Sequence, residues 1–448
     1  MYYEMPGTRQ AGGGLSRDAK GGGVRAVLTN GNREVCIPVS ALNTLVTGTT
    51  RYGKTVFVKE YVRERFRQNP GMYAVFFQIK PDDFTREFMR PRDKVITFSD
   101  RIFPKENLFK WCLVKEIRQH DPAEWDTELR EISTILFSDL MQDRRNLVWV
   151  EGARSTFEAF IKVILYRYTN NPSNKTLISS MKNSGHKKFL AFLAEYAPNR
   201  SMLMDNFDYD PDHCDSYRMP RKGSDILFFL QNILEKFGGS FLSETGGDTI
   251  YEYMRGAYGE RLFIVHDHKS RASSTLFEQY FLKYIGDHML SLTSDFKGEM
   301  MWVLDEIDKI EHDFGLTQAV TLGQQFGLQV LVSTQSLESL YAVAPELNGE
   351  HLTNASLAGF PVTVSFHPGD PHTIETLQKL YGERWETIMT TPLSRYDRPV
   401  VKVEKHPVVK DADFAGLGVG ECYVKIRSGE PERVRILRDG DSIQSDGN

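Results

Sequence analysis

The chain has 448 residues, of which 40% are hydrophobic and 26% charged, the makeup of a globular protein long enough for about two or three structural units. A net charge of −5 excludes a globally basic nucleic-acid binder, so any surface for a polyanion is local or forms on assembly. Its 4 cysteines, Cys36, Cys112, Cys214 and Cys422, stand far apart without a CxxC pair, which excludes a disulfide framework and a zinc ribbon and fits a reducing, cytoplasmic setting.

Residues 1–23 are rich in glycine and carry Arg9, Arg17 and Lys20 without the apolar core of a signal peptide; they read as a flexible tail. No uninterrupted apolar stretch is long enough to span a bilayer, so work at the inner face of a membrane requires a partner that brings the chain there. Two β-like runs, VRAVLT and REVCIPV, flank Asn30-Gly31-Asn32 and predict a hairpin.

The hairpin leads into Leu45-Val46-Thr47-Gly48-Thr49-Thr50-Arg51-Tyr52-Gly53-Lys54-Thr55, a complete GxxxxGK[ST] loop between a strand pattern and a helical one that runs to about Phe66. Glycines are needed at Gly48 and Gly53 because the backbone turns through conformations that side chains forbid and brings its amides close to a phosphate. The helix that follows directs its positive end at the same anion. Lys54 is then the reader of β- and γ-phosphates and Thr55 the hydroxyl ligand of Mg2+, with Gly48, Thr49, Thr50, Arg51, Tyr52 and Gly53 forming the nucleotide cradle.

Downstream, Tyr73–Ile79 and Lys94–Phe98 read as buried strands. Between about Pro122 and Phe241 the pattern turns helical: Trp125, Leu129, Ile132, Leu136 and Leu140 recur at helical spacing, as do Phe157, Phe160, Ile161, Ile164, Leu165 and Tyr168. Within this stretch Tyr196 to Lys222 is polar and Pro-containing and reads as irregular. Strands return at Arg261–His266, Glu299–Glu306 and Leu328–Ser333, with a helix near Thr275–Leu290 and another near Ser336–Tyr341; VTVSFH, CYVKI and RVRIL add short strands near the end. Strands alternating with helices imply an α/β fold on a parallel sheet, whose ligands bind at the carboxyl ends of strands. Residues 24–121 and 255–448 are accordingly assigned to a P-loop ATPase domain and 122–254 to an inserted all-α domain.

The apolar run Met301-Trp302-Val303-Leu304 ends in Asp305, suited to hold Mg2+, and Glu306, suited to polarise an attacking water. Gln335, at the end of the next strand, is a neutral amide able to bond both the water and the γ-phosphate. Arg271 and Arg154 are candidates for an arginine donated to a neighbouring subunit's site. Lys182, Lys187 and Lys188, then Arg218, Arg221 and Lys222, are the local basic clusters available to DNA phosphates, and no base-reading motif accompanies them. Asp208 to Asp212 reads as a solvated acidic loop, and the pair His266 and His268 lacks a third metal ligand of recognisable spacing.

The set GTTRYGKT, MWVLDEID and VSTQSLESL, together with IKPDDFTREF after the second strand, VEGARSTFEAFI entering a helix and GVGECYVKI near the end, resembles the additional-strand, RecA-like P-loop ATPases of the FtsK/HerA class, and within it the coupling proteins of type IV secretion and conjugation. The resemblance implies a homo-hexameric, DNA-dependent ATPase using ATP and Mg2+ and working with membrane-channel or relaxosome proteins. Family loops usually read TGSGK where this chain has Thr50-Arg51-Tyr52-Gly53-Lys54, and coupling proteins typically carry transmembrane helices that this sequence does not show. A HerA-like motor of a defence or repair complex, and a nucleotide-gated scaffold that recruits protein substrates to a secretion channel, are the alternative readings.

Overall fold

This computed structural model describes residues 15, 22–29, 33–39, 42–98, 102–141, 144–214, 216–238, 246–267, 271–290, 298–307, 310, 314–338, 357, 359–389 and 401–438. Most of the glycine-rich tail, the turn Asn30-Gly31-Asn32, His268 and most of the segment expected to be helical after Ser336 lie outside these residues. Among the described residues no helix is long and apolar enough to cross a membrane.

The chain begins with β1 (Gly23–Leu28), β2 (Arg33–Pro38), β3 (Thr44–Thr47), α1 (Lys54–Gln68), β4 (Tyr73–Gln78), α2 (Thr85–Phe88) and β5 (Lys94–Thr97). A helical stretch holds α3 (Leu113–Arg118), α4 (Trp125–Met141), α5 (Leu147–Arg167), α6 (Asn174–Asn183), α7 (His186–Leu193), α8 (Arg200–Phe207), α9 (Arg221–Gly238) and α10 (Ile250–Met254). Then come β6 (Arg261–Val265), α11 (Arg271–Leu290), β7 (Met300–Leu304), α12 (Leu316–Leu322), β8 (Leu328–Thr334), β9 (Val362–Ser365) and α13 (Pro371–Tyr381). The antiparallel pair β10 (Glu383–Met389) and β11 (Val401–Pro407) follows, with α14 (Asp411–Ala415), β12 (Glu421–Ile426) and β13 (Glu432–Ile436) after it. The chain separates into two compact units, residues 1–74 with 298–448, and residues 75–297.

In the first unit the strand order is β2-β1-β13-β12-β9-β3-β8-β7. The centre is parallel, β3 pairing with β8 and β9 and β7 with β8, as expected for α/β crossovers; β12 and β13 add an antiparallel flank. All residues of β3, β7, β8 and β9 are buried, as in a sheet covered on both faces, and β7 (MMWVL) accordingly reads as a continuous apolar run rather than an alternating one. Helix α1 buries Phe57, Val58, Tyr61 and Val62 and is locked to the sheet by a polar network. Within it, Arg65 Nε donates to Gln329 Oε1 (2.9 Å), Gln329 Nε2 donates to the Tyr61 hydroxyl (2.8 Å), and Arg65 Nη2 reaches Glu299 at 3.1 Å. A buried guanidinium held by two partners costs little only while both remain, so this network fixes the pitch of the helix that follows the phosphate loop.

The second unit carries β5 and β6, paired in parallel, and the helices from α3 to α11. Helix α5 is its centre: Gly152 lets Ile226 of α9 approach so closely that a Cβ there would stand 2.6 Å from its Cδ1. Arg118 donates to the carbonyls of Ile164 (2.9 Å), Thr169 (3.0 Å) and Asn170 (2.6 Å), satisfying the otherwise orphaned acceptors where α5 ends.

The expectation of an irregular Tyr196–Lys222 needs correction. A 3-10 turn at Ala197–Asn199 leads into α8, and α9 begins at Arg221. Composition misleads here because tertiary contacts decide: Leu203 and Phe207 are buried, and buried Asn199 Nδ2 donates to Ala159 O (3.1 Å) and Leu193 O (2.9 Å). Asp208, with φ 48, ends α8 in the left-handed conformation that asparagine and aspartate tolerate. His266 is also explained without a metal, since its Nδ1 lies 2.9 Å from Glu278 Oε2 in the core of the unit.

Candidate functional site

The phosphate loop leaves the carboxyl end of β3 and enters α1 entirely within the first unit. Gly48 has φ 141 and Gly53 φ 114, a region L side chains rarely adopt. Space forbids a side chain at Gly48 as well, because a Cβ there would lie 2.7 Å from Phe366 Cβ and 3.0 Å from its carbonyl carbon. Gly53 caps α1 without a side-chain bond, and no acidic residue occupies the helix's first turn, so its positive end is left for an external anion. Lys54 is buried, and its Nζ donates to Gly48 O (2.5 Å) and Thr49 O (3.0 Å), which curls the ammonium into the loop. Thr55 is half-buried one residue on.

The bulky crown of the loop has a physical explanation. Tyr52 stacks on His367, with ring centroids 4.7 Å apart and planes 22° from parallel, and its carbonyl accepts from Gly420 N at 2.9 Å. Arg51 takes φ 71 and is exposed, as is Thr50. On the other flank Thr49 N donates to His367 O (2.7 Å), and a Cβ at Gly369 would strike Thr49 Cγ2 at 2.4 Å. The loop is therefore cradled by residues 366–369, after β9, and by Gly420 immediately before β12.

The register brings the other candidates to the same edge of the sheet. Thr47 of β3 pairs with Thr334 of β8, and Leu304 of β7 with Val332 of β8, so Asp305 and Gln335 both emerge at the carboxyl ends beside the phosphate loop. One strand separates β3 from β7, a lateral distance of about 10 Å at the usual spacing of neighbouring strands. Asp305 is buried, whereas Glu306 and Gln335 are half-buried. Glu306 has φ 53, a backbone conformation costly for a side chain of this kind and often retained at functional turns.

Two buried hydroxyls at these strand ends, Thr47 Oγ1 and Ser333 Oγ, have no hydrogen-bond partner, and neither does His367 Nδ1. Unpaired buried polar atoms are rare in a finished core and cluster where a polar ligand or ordered water belongs. The glycine cradle, the curled lysine, the uncapped helix and these hydroxyls fit a nucleoside triphosphate with its Mg2+. Sequence reading missed Thr47, Ser333, His367 and Gly369. The available signal for the last two was VSFHPGDP, a strand that ends in a turn with an Asp-Pro helix start; Asp370 indeed caps α13 by accepting from Thr373 N.

The remaining candidates lie in the second unit. Arg154 is held on its own helix by Glu151 (2.7 Å) and Glu158 (3.6 Å) and donates to Thr134 Oγ1 (3.1 Å). Arg271 opens α11. Lys182, Lys187, Lys188, Arg218, Arg221 and Lys222 are all exposed, with Lys188 at a cavity of about 390 Å3 lined by Phe160, Phe189 and Phe192.

Comparison with solved structures gives the fold independently. The chain is similar to the bacterial conjugative coupling protein TrwBdeltaN70 in its unbound monoclinic form, with a TM-score of 0.67 and 17% identity over 94% of this chain and 90% of that one. Plasmid coupling protein TrwB in complex with the non-hydrolysable ATP analogue ADPNP aligns with a TM-score of 0.65 and 18% identity over 93% and 89% of the two chains. VirB4 of Thermoanaerobacter pseudethanolicus aligns with a TM-score of 0.52 and 12% identity over 94% and 98%. A sequence search among curated proteins gives no match. The family model described as the type IV secretion-system coupling protein DNA-binding domain matches residues 35–395, most of the chain, and on that extent the chain belongs to the type IV secretion-system coupling-protein family.

Proposed function

We propose that the first unit binds and hydrolyses ATP with Mg2+ and that a homo-hexameric ring of these chains uses the turnover to move DNA through a conjugative channel. The observation that carries this reading is the gathering of the phosphate loop, Asp305-Glu306 and Gln335 at three neighbouring strand ends. Lys54, already directed into the loop, exchanges its carbonyl partners for phosphate oxygens; Thr55 and Asp305 hold Mg2+, which when bound neutralises charge on the transferring phosphoryl group. Glu306 orients and deprotonates the attacking water, and Gln335, one residue past β8, couples phosphate loss to the strand behind it. An arginine from a neighbouring subunit, Arg271 or Arg154, completes the charge neutralisation. Arg154 must first leave Glu151 and Glu158 to do so.

Residues 122–254 are proposed to serve as the inserted all-α domain, whose exposed lysines and arginines contact DNA phosphates without reading sequence. Membership of the coupling-protein family favours this reading over a defence motor or a passive scaffold, and recruitment to the inner face of the membrane falls to channel or relaxosome partners. The test separates binding from chemistry. Lys54→Ala should lose nucleotide affinity, while Glu306→Gln should retain it and lose turnover by about 100-fold or more. Normal turnover in Glu306→Gln would remove the assigned base.

A further inference from the structure

Apart from the nucleotide site, the second unit gathers three potential metal ligands from three segments that are distant in sequence. His120 lies in the turn between α3 and α4, Glu128 on the first turn of α4, and His288 on the last turn of α11. One ligand atom from each lies within 4.8 Å of the others. His120 Nδ1 faces Glu128 Oε1 at 3.6 Å, too long for a hydrogen bond yet close to the about 3.3 Å that separates neighbouring ligands around a tetrahedral ion bound at about 2.0–2.1 Å.

The surrounding groups set the ligands' orientation. His288 Nδ1 lies 3.0 Å from the Tyr284 carbonyl, and because a carbonyl only accepts, Nδ1 carries the proton and Nε2 keeps its lone pair. This is the backbone bond that commonly fixes the tautomer of a metal-binding histidine. Glu128 is steadied by the Tyr284 hydroxyl, which donates to Oε2 at 3.2 Å and leaves Oε1 turned to His120. Side-chain exposure of 9% for His120 and 13% for Glu128 leaves the cluster shielded but reachable.

We propose that His120, Glu128 and His288 form a structural site for a divalent transition metal, with Zn2+ the best match to two imidazoles and one carboxylate, that pins α11 to α4 and to the turn before it. Two nitrogens and one oxygen suit Zn2+ better than Mg2+ or Ca2+, which prefer all-oxygen shells. Closing the triangle from 4.8 Å needs a ligand movement on the order of 1 Å, within reach of a rotamer adjustment at the helix end. The site joins the start of the helical stretch to the helix that follows β6, so the ion stiffens the root of the helical insert. The proposal is independent of the ATPase reading.

The experiment uses the full chain, stripped with a chelator, with its nucleotide site saturated by Mg2+ and ADP. Zn2+ retained after desalting is measured by mass spectrometry, and Co2+ is added as an absorbing substitute. The wild type should hold one Zn2+ per chain, give the visible bands of low-symmetry Co2+, and melt at a higher temperature with metal. Glu128→Gln and His288→Gln, near-isosteric and checked for folding by circular dichroism, should each bind at least about 100-fold more weakly. His288→Cys should add a thiolate-to-cobalt charge-transfer band, which appears only if residue 288 ligates the ion. Less than a tenth of an equivalent of Zn2+ on the wild type, unchanged affinity in both glutamine variants, or no new band in the cysteine variant would each overturn the site.

Discussion

Gly48→Ala is the sharpest perturbation of the phosphate loop, because the structure gives two separate reasons for glycine at that position. The residue has φ 141, where an L side chain costs about 1–3 kcal/mol. The new Cβ would also meet Phe366 Cβ at 2.7 Å and its carbonyl carbon at 3.0 Å, an overpacking worth about 1–3 kcal/mol. The two together come to about 4 kcal/mol, and at about 2–4 °C per kcal/mol for a domain of this size the first unit should melt roughly 10 °C lower. Circular dichroism melts and nucleotide titrations read the two consequences, loss of stability and loss of ATP affinity. The contact is to Cβ and backbone, so trimming the ring with Phe366→Ala should restore nothing in the double variant. A melting temperature within about 2 °C of wild type, or rescue by Phe366→Ala, would refute the steric argument.

Two further predictions concern the second unit. Buried Glu116 accepts from Trp111 Nε1 (2.9 Å), Ile250 N (2.7 Å) and Tyr251 N (2.8 Å), and burial pushes its carboxyl from 4.5 up to about 7. A raised carboxyl contributes stability that is complete below pH 4.5 and is lost as pH climbs through about 7, here about 3 kcal/mol; Glu116→Gln should flatten the difference between the urea-unfolding free energies at about pH 4 and pH 8 by that amount, and an unchanged difference would contradict the assignment. Asn199→Ala removes two buried donor bonds and should cost about 2–3 kcal/mol, read as faster amide exchange across α8; exchange like wild type would show that composition, not Asn199, governs this segment.

Much of the candidate site is legible in the sequence because its elements are local. The loop, the Asp-Glu strand end and the strand ending at Gln335 each announce themselves within about ten residues, by glycine spacing or by an apolar run with a polar stop. Register alone converts them into one site, and parallel strands buried on both faces leave no alternation from which to read register. What remained hidden is long-range. Nothing near Tyr52 indicates that His367 will stack on it or that Gly420 will bond its carbonyl, since these partners lie over 300 residues away. The hairpin of β10 and β11, with exposed Trp385 and Val403, was likewise invisible because its residues are mixed in charge and bury little. Residues 196–222 were misread for the converse reason: a polar, proline-punctuated stretch folds because its few apolar side chains and one asparagine find partners on other helices.

The claim that this coupling-protein relative is a DNA-driven motor is tested most directly by ATP turnover of the wild-type chain with and without single- or double-stranded DNA across a salt series. The account predicts stimulation that weakens steeply as salt rises, because contacts to DNA phosphates release counterions, and that vanishes in Glu306→Gln. Turnover that is intact but indifferent to either form of DNA at every salt concentration would contradict it.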